Sequence, residues 1–229
     1  MRKNICFVTE SVVNLTLGKL IERHLSEHAV SVGNSLPASP EKYHLIVLWN
    51  LRRVIRDLPT TNNIVVFHSS DLPRGRGWAP IYHALLNGFQ QHVITAILAG
   101  PKVDAGDVIA KARFSIQACH TSDSLRALDE EVCVMMAAEI LDHFGSQPIK
   151  AIPQHGQASY YARRYPSDSV TDINKPLVDL IPHIRGCGSD YPAYVDWQGC
   201  RYRITLTPES SPVFPEDLQI EFTDATGTA

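Results

Sequence analysis

Ile64–Pro80 reads IVVFHSSDLPRGRGWAP. Four apolar residues run straight into His68, and a turn rich in serine, proline and glycine follows. Ala79–Asn87 then carries Ile81, Ala84 and Leu85 on one side, as a helix would. An unbroken apolar run of this length fits a strand covered on both faces, the kind found in parallel sheets flanked by helices. In open α/β sheets, ligands bind beyond the carboxyl ends of the strands. His68 falls where a site residue belongs, although a histidine satisfied by its own turn gives the same pattern.

The alternation continues on both sides of this stretch. Asn4–Thr9 is a β-prone run, and Leu15, Leu17, Leu20, Ile21 and Leu25 recur mostly at three and four. His28–Val32, Leu45–Trp49 (LIVLW), Val93–Leu98 and Val108–Phe114 read as further strands. Ser122–Phe144 reads as a long helix, with Leu125, Leu128, Val132, Met136 and Ile140 on one stripe and Gly145 as its stop. Strands interleaved with helices predict an α/β fold with a Rossmann-like, mostly parallel sheet over residues 1–146.

Residues 147–229 have a different texture and read as a small C-terminal module. Gln147–Tyr165 is polar, with Pro148 and Pro153, and reads as a linker or irregular segment. Lys175–Arg185 fits a short helix with Pro176 in its first turn, where proline is tolerated, and Pro182 is expected to kink or end it. Tyr194–Trp197 and Arg201–Leu206 flank Gln198-Gly199 as a hairpin. Its alternating aromatics suit either capping of the domain or pairing in a homodimer. After Thr207 the chain is proline- and acid-rich and reads as a flexible tail.

Composition narrows the function. The 229 residues are 44% hydrophobic and 20% charged, as in an ordinary globular protein, and the net charge of −3 argues against a nucleic-acid partner. The five cysteines form no C-x-x-C pair, so they are expected to be reduced thiols, and no cluster has metal-ligand spacing. With neither a signal peptide's apolar core nor a run long enough to span a bilayer, the expected location is the cytoplasm, away from membranes. No G-x-G-x-x-G follows the first strand, which excludes a nicotinamide dehydrogenase.

A second segment, KVDAGDV at Lys102–Val108, sits between two strands. Asp104 and Asp107 flank Ala105-Gly106, so it is either a plain turn or a carboxylate presented on a loop. Taken together, H-x-S-x-L-P-x-x-x-G from His68 and V-D-A-G-D ending at Asp107 resemble the folate-dependent formyltransferases. The two motifs are spaced as in that family, which includes the glycinamide ribonucleotide, methionyl-tRNA and sugar-amine transformylases. The GRGW at Gly75–Trp78 and the later YYARRYPSDSVTDINKPL and YPAYVDWQGCRYRI are most similar to formyltransferases acting on 4-amino-4,6-dideoxy sugar nucleotides, of the type in pseudaminic-acid pathways. They also resemble the formyltransferase domain that acts on 4-amino-4-deoxy-arabinose. The likeness runs from about Leu45 to Leu206.

The resemblance implies an enzyme that moves a formyl group from N10-formyltetrahydrofolate, its co-substrate, to the amine of a UDP- or dTDP-linked amino sugar in surface polysaccharide biosynthesis. His68 and Asp104 match the family's catalytic pair. The family's N-x-H asparagine is Val66 here, so the amide that binds the formyl oxygen must come from elsewhere. Asn50 is the first candidate and Asn63, at the other end of its strand, the second. The implied pterin contacts are Trp49, Asn50, Leu51, Arg52 and Val54 in one loop, and Ala99, Gly100, Lys102, Val103 and Asp104 in another. Trp49 is also a natural core residue. The implied sugar-nucleotide contacts are Ser70, Arg74, Gly75, Arg76, Gly77, Trp78 and Tyr82, with Arg163 and Arg164 as a phosphate or base clamp. Solvated turns and an interface are the plainer readings of those arginines. Two alternatives remain: a methionyl-tRNA formyltransferase-like enzyme, and a catalytically silent protein that binds folate or sugar nucleotides, which Val66 would suit.

Overall fold

The computed structural model describes residues 2–10, 15–51, 53–55, 57–59, 61 and 63–223. The elements are β1 (Asn4–Val8), α1 (Leu15–His24), β2 (Ala29–Gly33), β3 (Leu45–Leu48), β4 (Ile64–His68), β5 (Arg76–Gly77), α2 (Pro80–Leu86), β6 (Gln91–Leu98), β7 (Val108–Ser115), α3 (Ser122–Phe144), β8 (Tyr160–Tyr161), α4 (Leu177–Gly186), β9 (Ala193–Trp197), β10 (Cys200–Ile204) and β11 (Gln219–Phe222). Among the described residues, seven strands form one sheet in the order β11-β7-β6-β4-β3-β1-β2. The ladders β1–β2, β1–β3 and β3–β4 are parallel, and β4–β6, β6–β7 and β7–β11 are antiparallel. Five strands thus point one way, and β6 and β11 run against them. This is the mostly parallel, Rossmann-like α/β sheet that the strand and helix alternation predicts.

Period-2 alternation sorts the strand residues onto two faces. Ile5, Phe7, Leu45, Val47 and Val65 face the main core, with Leu17 and Leu20 of α1, Ile81 and Leu85 of α2, and Val132, Met136 and Ile140 of α3. Cys6, Val8, Ile46, Leu48 and Ile64 face the other way, where Leu36, Tyr43, Leu51, Ile55 and Leu58 cover them from loops. That face is roofed by loops, and the carboxyl ends of β3 and β4 open beneath it. The long helix α3 has sharp ends. Thr121 and Ser124 form a reciprocal capping box at its start, and Gly145 at φ 60° ends it.

Three parts of the C-terminal stretch differ from expectation. The segment read as a linker is pinned: Ile152 exchanges both backbone hydrogen bonds with Val108, at 2.7 and 2.9 Å, and β8 pairs with β5. Helix α4 does not end at Pro182 but runs to Gly186, because Leu180 and Ile184 on either side are buried against Ala193. The stretch after Thr207 is not tail throughout. β11 extends the main sheet beside β7, and the Phe222 ring stacks on His143 with centroids 3.9 Å apart. The expectation of fraying for the final residues falls on 224–229, outside the described residues.

The V-D-A-G-D motif also has a packing reason. A Cβ at Gly106 would lie 1.8 Å from the Leu98 carbonyl oxygen, inside the β6–β7 hairpin. Gly106→Ala should therefore destabilise the fold by about 2–3 kcal/mol, lowering Tm by roughly 4–12 °C. Gly18→Ala is the control. Nothing lies within 4 Å of that site in α1, so the helix should gain about 0.5–1 kcal/mol. Thermal or urea unfolding of both variants checks the pair.

Candidate functional site

His68 ends β4, and Asp104 sits in the β6–β7 loop; the β4–β6 ladder brings them together. Nδ1 of His68 lies 3.6 Å from Oδ1 of Asp104, and the two side chains are only 9% and 10% exposed. That separation is too long for a hydrogen bond but close enough for direct electrostatic coupling. The other ring nitrogen, Nε2, is 2.8 Å from the Gly75 carbonyl oxygen. A carbonyl only accepts, so Nε2 carries a proton. Nδ1 then meets the carboxylate favourably only when it too holds a proton. The geometry sets the edge of an imidazole against a carboxylate, close enough for each to feel the other's charge.

Both partners are held by the turn that follows β4. Ser70 Oγ donates to the carbonyls of Arg74 (2.8 Å) and Gly75 (3.2 Å), closing the turn. The Gly77 N–H donates to Asp104 Oδ2 at 2.9 Å, which leaves Oδ1 for His68. Gly77 has φ 98°, and a Cβ there would lie 2.5 Å from the Tyr161 carbonyl oxygen, so the R-G-R-G turn needs this glycine. Asp104 itself is left-handed, at φ 52°, a region that Asp and Asn tolerate better than most residues.

The pair opens onto a cavity of about 750 Å³, within the size range of ligand pockets. Toward β3 and β6 its wall is largely apolar, with Leu48, Leu51, Ile55, Leu58, Val66 and Ile97. Asn50, Val54, Ala99, Gly100, Lys102 and Val103 line the same part. Toward α2 the wall is aromatic and cationic, with Trp78, Tyr82, Tyr191, Arg126, Arg163 and Arg164. Arg163 lies 4.7 Å over the Trp78 ring and Arg164 3.7 Å over the Tyr82 ring. Arg164 is 8% exposed and donates to Ser169 Oγ at 2.7 Å, while its Nε has no partner. Burial pushes the Tyr82 and Tyr161 hydroxyls up. Burial, then the Arg164 charge, pushes His83 down. All three groups are thereby biased toward their neutral forms.

Several expected contacts lie elsewhere. Trp49 is 3% exposed in the main core and does not line the cavity, which agrees with its plainer reading. Ser70, Arg74, Gly75 and Arg76 build the turn behind the cavity instead of facing it; Arg74 is exposed. Arg52 lies outside the described residues. Val66 is half-buried, two residues before His68 on the same side of β4, and lines the cavity where the family asparagine would stand. Asn63 is engaged elsewhere, its Nδ2 donating to the Tyr43 and Pro40 carbonyls at 2.7 and 3.1 Å. Asn50, at φ 49°, does face the cavity. Sequence reading missed Arg126, Asp123 and the loop 188–191. Asp123 accepts from the Ser189 N–H at 3.0 Å and so fixes that loop at the cavity wall. Only a contact between segments 66 residues apart creates this wall, and no local signal marks it.

A second His–Asp pair is tighter, His92 Nε2 to Asp129 Oδ1 at 2.7 Å, but the residues are 1% and 7% exposed and neither lines the cavity. It is a sealed polar contact between β6 and α3. Among the described residues, no group of three or more His, Cys, Asp or Glu could hold a metal ion, and no helix is long and apolar enough to cross a membrane.

Residues 47–138 match the model of the family described as Formyl transferase. The chain is 31% identical over 147 residues to the methionyl-tRNA formyltransferase of Streptococcus suis (strain 05ZYH33), which covers 62% of this chain and 46% of that protein. The chain thus spans about half the length of the curated relatives it matches. Its fold is shared with a solved methionyl-tRNA formyltransferase from Clostridium thermocellum, at TM-score 0.74 and 22% identity over 96% of this chain and 99% of that one. It is also shared with a solved 4-N formyltransferase from Francisella tularensis, at TM-score 0.69 and 16% identity over 91% and 99%.

Proposed function

We propose that this chain transfers a formyl group from N10-formyltetrahydrofolate to the amine of a nucleotide-linked amino sugar, in the cytoplasm, for surface glycan synthesis. The observation that carries the reading is the His68–Asp104 pair lying 3.6 Å apart on a cavity with one apolar wall and one cationic, aromatic wall. The apolar wall suits a flat pterin, with the backbone around Ala99–Val103 at its edge. The opposite wall suits a phosphate and a base, since guanidinium groups bind phosphate and aromatic rings stack.

Acyl transfer to an amine sets three tasks. The attacking nitrogen must lose a proton, the departing N10 must gain one, and negative charge on the formyl oxygen must be held. Asp104 accepts the amine proton, directly or through a water. His68 holds the proton on Nδ1 for the developing oxyanion and then for N10. Val66 brings no amide, and Asn50 is the described asparagine that faces the cavity and can replace it.

The methionyl-tRNA reading is favoured by the names of the sequence relatives. Against it stand the net charge of −3 and a cationic wall confined within a cavity, where a polyanion requires an extended basic surface. The test supplies N10-formyltetrahydrofolate with UDP- and dTDP-linked 3-amino and 4-amino sugars, and in parallel with methionyl-tRNA. The expected result is a mass gain of one formyl group on an amino sugar alone. Formylation of the tRNA alone transfers the assignment to that acceptor, and no transfer to either supports the silent-binder alternative.

A further inference from the structure

Gln154 does not line the cavity and bonds to neither reacting side chain, yet it joins the two loops that build the site. Its Nε2 donates to the backbone carbonyls of Asp104 (3.0 Å) and Gly106 (2.8 Å). Its Oε1 accepts from Arg76, from Nη2 at 2.6 Å and Nε at 3.3 Å. Guanidinium nitrogens only donate and carbonyls only accept, so the amide has a single consistent orientation. One side chain is thus fully occupied by the β6–β7 loop on one side and the R-G-R-G turn on the other.

The same two loops meet a second time at the reacting end, where the Gly77 N–H, next in sequence to Arg76, donates to Asp104 Oδ2. Asp104 is therefore held at both ends, by its carboxylate and by its carbonyl. This matters because left-handed backbone at a non-glycine residue persists only where its surroundings over-determine it. Gln154 is itself delivered by the pairing of Ile152 with Val108, two residues away.

We propose that Gln154 is a positioning residue for the reaction: by tying Asp104 to Arg76 it holds the carboxylate at the distance and angle that His68 requires. The inference rests on the formyl-transfer reading for its kinetic consequence, but the placement can be read without any turnover. A carboxylate shifted by about 1 Å loses roughly 10–100-fold in rate, because proton transfer depends steeply on geometry.

Gln154→Leu keeps the shape and removes all these bonds, and Gln154→Glu keeps an acceptor for Arg76 but cannot donate to the two carbonyls. Amide hydrogen exchange should show Gly77 opening at least about tenfold faster in both variants, since its N–H depends on Asp104. Trp78, whose N–H donates to the Tyr161 carbonyl, is the internal control and should keep its protection. Under formyl transfer, kcat should fall roughly 10–100-fold in both variants while KM for both substrates stays within about threefold. Unchanged Gly77 exchange overturns the proposal, as does unchanged kcat, or Gly77 and Trp78 loosening together as in general loss of structure. A wild-type chain that transfers no formyl group, but whose Gly77 responds to Gln154→Leu, overturns the proposed function and upholds the placement.

Discussion

Replacing His68 with alanine should lower kcat for formyl transfer by about 10³-fold or more, with folate affinity nearly unchanged. On the proposed reading the imidazole supplies two of the three tasks of the reaction, and its Nδ1 is the group that meets Asp104. The substitution should not unfold the protein. His68 Nε2 has one partner, the Gly75 carbonyl, and that oxygen keeps Ser70 Oγ at 3.2 Å when the ring is gone. The stability loss should stay near 1–2 kcal/mol, since the orphaned acceptor is only partly unsatisfied. Single-turnover rates beside a binding titration with tetrahydrofolate separate the effects. A variant that binds folate normally yet transfers at more than about a tenth of the wild-type rate removes the imidazole from the chemistry.

Asp104→Asn should lower kcat by about 10²–10⁴-fold, again without loss of fold. Asparagine tolerates the left-handed backbone at φ 52°, and its Oδ1 can still accept the Gly77 N–H. What changes is the group facing Nδ1. An amide would stand where the carboxylate did, and the negative charge beside Nδ1 would be lost. Asp104→Ala is the informative companion. It loses the same chemistry and in addition sets an alanine in left-handed backbone, at roughly 1–2 kcal/mol. A gap in Tm between the two variants, with equally low kcat, assigns the rate loss to the carboxylate and the stability loss to the backbone.

How much of this was legible in the chain depends on how local the determinants are. Ser122–Phe144 was legible because its apolar stripe lies inside the segment and the stopping Gly145 directly follows it. The hairpin around Gln198-Gly199 was legible for the same reason. β11 was not: Gln219–Phe222 alternates half-buried and exposed residues and becomes a strand only because β7 offers an open edge. Pro182 does not end α4, because burial of Leu180 and Ile184 outweighs the one backbone bond that proline forfeits. At the site, His68 and Asp104 stand out by motif, whereas Ser70 and Arg76 are in the motif for structural reasons and bind the turn and Gln154. Gln154 itself lies in a polar stretch with no periodicity, and its role arises entirely from pairing with distant loops.

On the proposed mechanism, His68 and Asp104 share one cavity with the formyl carrier. A crystal structure with a stable analogue of N10-formyltetrahydrofolate tests this most directly. The predicted result places the pterin between Leu48, Val66 and Ile97 and the loop 99–103, with the formyl carbon in contact with both His68 and Asp104, at roughly 3–4 Å. A pterin bound elsewhere, or a formyl group beyond reach of both side chains, contradicts it.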